Sequence, residues 1–158
     1  MRRKEREITD MEEILAVIDD CRVARIGLSC EEGAYIVPMN FGYEYEKEGG
    51  KLFLYFHSAM EGRKADMIKA CGAVGFEMDR LIQVVEQEKP CGWTAHYESV
   101  IGTGHMRLLE SGGEKRHALD AMMHHYGMEG PGDYPDQMLA RTAVWELAVK
   151  TVAGKRNV

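Results

Sequence analysis

Apolar positions recur along this chain at two different periods, and the switches between them mark out the elements. Met11, Ile14, Leu15 and Ile18 repeat at helical spacing behind overlapping capping boxes in Thr9-Asp10-Met11-Glu12-Glu13, which predicts a first helix over about Thr9 to Asp20. From Cys21 the period falls to two. Ala24, Ile26 and Leu28 alternate with Arg25 and Gly27, and Glu31-Glu32-Gly33 supplies a turn. A longer alternating run follows, with Tyr35, Val37, Met39, Phe41, Tyr43 and Tyr45 on one face and Ile36, Pro38 and Asn40 on the other. Pro38 has no N–H to donate, so it belongs at a sheet edge or a bulge, where the backbone stops pairing and a ligand can approach.

Lys47-Glu48-Gly49-Gly50 turns the chain into Lys51-Leu52-Phe53-Leu54-Tyr55-Phe56-His57, a strongly β-forming run that stops at Ser58-Ala59. A helix is predicted from about Glu61, with Ala65, Met67, Ile68 and Cys71 apolar and Gly72 as its stop. Ala73 to Met78, Leu81 to Gln87 and Ser99 to Leu109 read as three strands. Glu114 to Tyr126 reads as a long helix with Leu119, Met122, Met123 and Tyr126 on one face, and a loop rich in Gly and Pro runs from Gly130 to Pro135. A last strand runs from Thr142 to about Thr151, before a basic tail at Lys155-Arg156. Six or seven mainly consecutive strands with two or three helices predict a mainly β fold: an antiparallel sheet or small barrel with helices packed outside it. There is no strand-helix-strand rhythm, no Gly-x-Gly-x-x-Gly after the first strand and no Walker loop, so the common dinucleotide and triphosphate cradles are excluded.

Composition narrows the function classes. The 158 residues fit one domain, and the 45% hydrophobic and 29% charged shares are those of a folded soluble chain. No stretch approaches the roughly 20 apolar residues of a membrane span, and the charged start Met1-Arg2-Arg3-Lys4 leads into a capped helix and not into a signal-peptide core, so a cytoplasmic protein is expected. A net charge of −6 argues against nucleic-acid binding. Cys21, Cys30, Cys71 and Cys91 are widely spaced and read as reduced thiols. The histidines form no metal pattern: His96 and His105 are isolated, and His117, His124 and His125 read as a solvated helix face. The eleven methionines are spread through core-like positions.

The segment Tyr55-Phe56-His57-Ser58-Ala59-Met60-Glu61-Gly62-Arg63-Lys64 carries the clearest chemistry. A strand ends and a helix begins within it, so unpaired backbone N–H groups, the Ser58 hydroxyl and the Arg63 and Lys64 cations meet at a helix start, which suits a phosphate. Together with Val37-Pro38-Met39-Asn40-Phe41-Gly42-Tyr43, this segment resembles the flavin-binding core of the Nim-type nitroimidazole-resistance reductases, within the pyridoxamine-phosphate-oxidase-like superfamily. Trp93-Thr94, Tyr97-x-Ser99-Val100-Ile101-Gly102-x-Gly104, Glu114-Lys115-Arg116-His117-Ala118-Leu119 and Gly154-Lys155-Arg156 follow the same family in order and spacing, so the resemblance covers nearly the whole chain. Ala153 departs from it, standing where a threonine is expected before Gly154.

The resemblance implies a six-stranded antiparallel FMN-binding split barrel that forms a homodimer, with a flavin in each of two sites where the protomers meet. It implies that Val37, Pro38, Met39, Asn40 and Phe41 lie along the isoalloxazine ring, and that Tyr55, His57, Ser58, Ala59, Arg63 and Lys64 belong to the segment holding the phosphate end. Ser99, Val100 and Ile101 would approach from a neighbouring strand, and Trp145 from the partner chain. His57 is the candidate proton donor, or else a phosphate hydrogen-bond donor. The implied activity is reduction of a small oxidised acceptor such as a 5-nitroimidazole, with NAD(P)H as donor. A flavin-binding or electron-transfer protein without turnover is the alternative, as is a split barrel holding haem, a deazaflavin or pyridoxal phosphate. The paired Arg63-Lys64 favours a ligand that carries phosphate.

Overall fold

In the computed structural model, which describes residues 3–158, the period-two segments build a single antiparallel sheet. Its strands are β1 (Glu7–Ile8), β2 (Ala24–Cys30), β3 (Gly33–Met39), β4 (Gly42–Glu46), β5 (Lys51–Ala59), β6 (Ala73–Val85), β7 (Thr94–Leu108) and β8 (Thr142–Asn157). The helices are α1 (Met11–Asp20), α2 (Arg63–Ala70), α3 (Gly112–His125) and α4 (Asp136–Arg141). In space the strands run β3-β2-β6-β7-β8-β5-β4, with β1 added to β8. The two edge strands of that order are joined by Asn40 and Phe41 alone, a link that reaches about 10 Å at most. The sheet therefore curls until its edges meet without pairing, which makes a barrel split along one seam. The expected mainly β split barrel with flanking helices is the observed fold, with seven strands along the path plus β1 in place of six.

Several boundaries differ from the sequence reading, each for a physical reason. The alternating run from Tyr35 to Tyr45 is two strands, because the chain changes sheet edge at Asn40-Phe41. Pro38 sits in edge strand β3 opposite Arg25, where its missing N–H interrupts nothing. The two strands read either side of Asp79-Arg80 are one strand, β6, bulged between Leu81 and Gln83. Those polar residues stay in the ladder because Asp79 meets Arg25 at 2.6 Å and Arg80 meets Glu98 and Asp20, each at 2.6 Å. α1 starts at Met11, since Asp10 is the residue that accepts from the Glu12 and Glu13 N–H groups. α3 opens two residues before Glu114 because Ser111 and Glu114 form the capping box. α4, only six residues long, left no periodic signal. β8 runs on through the basic tail, where Lys155 stands 5.3 Å over the Tyr97 ring. Met1 and Arg2 lie outside the described residues, and no described helix is long and apolar enough to cross a membrane.

Two cores hold the elements. Inside the barrel, Ile26, Leu54, Phe56, Met78, Val100, Trp145 and Leu147 pack with Ile14, Val17 and Ile18 of α1. Outside it, α3 places Ala118, Leu119, Ala121 and Met122 on Tyr55 and Val144. Lys115 ties α4 to this outer layer: its ammonium donates to the Leu139 and Thr142 carbonyls at 2.8 and 3.0 Å. The approach of α3 to β4 depends on Gly42, where a Cβ would lie 2.4 Å from the Met122 backbone. A Gly42→Ala chain should lose about 3 kcal/mol in urea unfolding, because backbone cannot give way as a flexible side chain can.

Glu98 is the buried carboxylate among the described residues, as Lys115 is the buried ammonium. The Glu98 carboxylate bridges Arg80 at 2.6 Å and Arg156, which also reaches Glu13 at 2.8 Å, so β6, β7, β8 and α1 share one network. Burial disfavours the charge, but the two guanidinium groups more than offset it and hold the carboxyl below the usual range. The stabilisation this gives is present above the unfolded carboxylate pKa and is lost as pH falls through the lower folded value. Glu98→Gln should lower stability at pH 7 by about 2–3 kcal/mol and flatten that acid limb, as followed by urea unfolding across pH 2–7.

Candidate functional site

The residues singled out in the sequence distribute over three places around the seam. The first is edge strand β3 and the link that follows it. Val37 is half-buried, Met39 and Phe41 are buried, and their side chains pack into the barrel core. Pro38 is exposed on the opposite, outer face. β3 pairs only with β2, so one row of its backbone N–H and C=O groups faces the seam. What the segment 37–41 offers a ligand is therefore backbone, the Pro38 ring and the Asn40 amide, and not the side chains of Val37, Met39 or Phe41.

The second place is the start of α2. Gly62 caps it at φ 111°, a conformation that favours glycine, and no side chain caps its first N–H groups. The Arg63 guanidinium lies 4.6 Å over the Tyr35 ring and reaches Glu32 at 3.2 Å and Cys30 Sγ at 3.7 Å. Lys64 is partly buried, which pulls its ammonium below the ordinary lysine range, and it makes no ion pair among the described residues. Two cations thus stand in the first turn of a helix, where the dipole is unfavourable to them, and one of them lacks a counter-charge. Ser58 does not join them. Its hydroxyl donates to the Ala59 carbonyl at 2.8 Å and accepts from the Trp145 indole N–H at 2.9 Å.

The third place lies between β5 and α3. His57 points outward from β5, is exposed and pairs with no protein group among the described residues. With Asn40 it lines a cavity of about 340 Å³, whose other walls are Leu119, Met122, Met123, Tyr126 and Tyr134. The sequence reading missed the last five as site residues. Leu119, Met122, Met123 and Tyr126 were legible only as one apolar helix face. Tyr134 is fixed by a tertiary contact, donating to Asp120 at 2.9 Å. Burial, then Asp120, pushes its phenol up to about 12.

Three assignments are corrected by packing. Trp145 is fully buried in the barrel with its N–H committed to Ser58, so its indole does not extend toward a partner chain. Tyr55 lies under α3, donating to Glu44 at 2.9 Å; Glu44 also meets His117 at 2.7 Å. Val100 is buried in the core, while Ser99 and Ile101 on either side of it face outward. Ile101 shares one cross-strand row with Glu77, Arg25 and Pro38, about 14 Å from Pro38 at ordinary strand spacing. Within one protomer, then, Ser99 and Ile101 do not converge with His57.

Of the helix histidines, His117 and His124 are exposed as expected, His124 meeting the Gly130 carbonyl at 2.7 Å, while His125 is half-buried, meeting the Cys21 carbonyl at 2.8 Å and packing 4.6 Å from the Phe41 ring. Burial disfavours the charged form of the His125 ring and lowers its pKa.

Comparison with known proteins agrees with this fold. The family model described as pyridoxamine 5'-phosphate oxidase matches residues 10–156. No curated protein matches the chain. Among solved structures, a Bacteroides thetaiotaomicron protein named for a suggested role in 5-nitroimidazole antibiotic resistance is 32% identical, with a TM-score of 0.81 over 95% of this chain and 86% of that one. An FAD- and haem-binding protein from Mycobacterium smegmatis aligns at TM-score 0.82 and 18% identity, over 96% of this chain and 73% of that one. A flavocytochrome from Azotobacter vinelandii aligns at 0.80 and 17%, over 100% of this chain and 72% of that one. The last two share the fold with this chain. With the split seam, the edge proline and a family match over nearly its full length, the chain belongs to the pyridoxamine 5'-phosphate oxidase family.

Proposed function

We propose that this protein is an FMN-dependent oxidoreductase that passes electrons from NAD(P)H to a small oxidised acceptor, as a homodimer with a flavin at each protomer boundary. The observation that carries the reading is the seam itself: an unpaired edge of β3 beside a helix start that holds an uncapped first turn, Arg63 and an ammonium without a counter-charge. A flavin phosphate supplies the missing anion for Lys64 and the α2 N–H groups. Arg63 would have to exchange Glu32 for it, a modest loss because both side chains are exposed. The β3 backbone and the Asn40 amide would meet the polar edge of the ring. The bound flavin supplies the two-electron relay; the chain positions it and keeps water away. His57, exposed beside Asn40 and unpaired among the described residues, is the group able to hand a proton to the acceptor.

The dimer rests on surface chemistry. Ile36 and Ile101 are 54% and 51% exposed on the outer sheet face, and Leu81, Ile82, Val84 and Trp93 stay uncovered on the arm formed by β6 and β7. Exposed apolar residues in that number mark an interaction face. A second copy on that face would bring Ser99 and Ile101 of one protomer toward the flavin of the other, which explains why they do not converge with His57 within one chain.

Absorption spectra of the protein with FMN test the reading. A flavin band that bleaches under NAD(P)H without oxygen and recovers on adding 2-methyl-5-nitroimidazole supports it, and failure to bind flavin overturns it. Arg63→Ala with Lys64→Ala should weaken FMN binding at least about tenfold in fluorescence quenching. Ile36→Asp with Ile101→Asp should convert a dimer to monomer in sedimentation and weaken FMN binding by a similar factor. A protein that sediments as a monomer before mutation would refute the dimer.

A further inference from the structure

The three groups that hold Arg63 all come from one hairpin. β2 and β3 are joined by Glu31 and Glu32 alone, with Cys30 paired to Gly33 across the turn. Gly33 closes that turn at φ 124°, a conformation that favours glycine. From it the Glu32 carboxylate reaches the Arg63 guanidinium at 3.2 Å, Cys30 Sγ stands 3.7 Å away, and the guanidinium lies 4.6 Å over the Tyr35 ring. Lys64, the next residue, makes no ion pair among the described residues. The hairpin thus neutralises one of the two cations at the α2 start and leaves the other.

Two features make the Arg63–Glu32 pair exchangeable. The side chains are 56% and 79% exposed, so water replaces either partner at small cost. The Glu32 carboxylate engages the guanidinium alone, whereas a phosphate at the α2 start would take Arg63, Lys64 and the uncapped N–H groups together. Glu31, in the same turn, makes no ion pair among the described residues. It separates the effect of a nearby negative charge from that of contact with Arg63.

We propose that Glu32 is a resident counter-ion for Arg63: it occupies the guanidinium while the site is empty, ties the β2–β3 turn to α2, and is displaced by an incoming phosphate. Glu32 thereby sets the affinity for flavins that carry a phosphate. The inference rests on the flavin reading for the ligand and on the ion pair for the competition. Its consequence is selective. Riboflavin has the same ring system and no phosphate, so it does not contest Arg63 and binds no better when Glu32 is neutralised. FMN does contest it, and loss of the carboxylate should strengthen its binding about two- to fivefold, the range for an exposed ion pair. The Tyr35 contact survives the exchange, because a guanidinium can stack on a ring while its edge donates to phosphate.

The test is a set of FMN and riboflavin titrations, read by fluorescence quenching. The proteins are the unaltered chain, Glu32→Gln, Glu31→Gln, Arg63→Ala, and Glu32→Gln combined with Arg63→Ala. All three positions are exposed, so the changes spare the core. Glu32→Gln should tighten FMN about two- to fivefold, leave riboflavin unchanged and exceed the effect of Glu31→Gln. In the Arg63→Ala background it should do nothing, since the carboxylate acts through that guanidinium. Unchanged FMN affinity in Glu32→Gln overturns the proposal, as does an equal gain for riboflavin, an equal gain in Glu31→Gln, or a gain that persists without Arg63. If neither flavin binds, the flavin reading falls, and the competition is read instead with inorganic phosphate from the Arg63 Nε–H signal of ¹⁵N-labelled protein. Tighter phosphate binding in Glu32→Gln then upholds the counter-ion, and equal binding overturns it.

Discussion

The chain passes from one edge of its sheet to the other in two residues, and the rest of the molecule follows from that crossing. Phe41, the second of them, is fully buried and packs 6.4 Å from Phe56 and 4.6 Å from His125, ring centre to ring centre. With that side chain anchored in the core, β3 and β4 must lie side by side at the seam, although neither pairs with the other. Closing a sheet by ladder hydrogen bonds would have left no unpaired edge. Closing it by a covalent link and a buried ring leaves the backbone of β3 available, and Pro38 on that strand needs no partner.

The elements around the seam are held by different kinds of contact, and this bears on what each can do. α1 and the barrel interior are locked by apolar packing and by the network around Glu98, with little freedom to respond to a ligand. α3 is held by close backbone approach at Gly42 and by hydroxyl and imidazole hydrogen bonds at its C-terminal end, where Tyr126 and His125 reach the Arg22 and Cys21 carbonyls. α2 begins with cations that the protein only partly satisfies. The groups that the chain leaves unsatisfied are therefore concentrated beside the seam. A ligand there would complete hydrogen bonds and ion pairs that the chain alone leaves open.

Alternation and capping residues are local signals, and what they encode was legible. The inward face of β2, the cap at Asp10, the break at Gly72 and the edge placement of Pro38 all follow from residues within a few positions of one another. The grouping of the 37–43 and 55–64 segments marked the seam and the family. Other features depended on residues distant in the chain. Asp79-Arg80 reads as a gap between two strands until Glu98 and Asp20 hold Arg80 in one. Ser58 looks like a phosphate ligand until Trp145 claims its hydroxyl inside the barrel. The apolar face of α3 reads as core throughout, yet part of it covers β5 and part is left lining a cavity. Periodicity states which side of an element is apolar, and only the packed structure decides what lies against that side, because the partners arrive from other strands through contacts that no local pattern records.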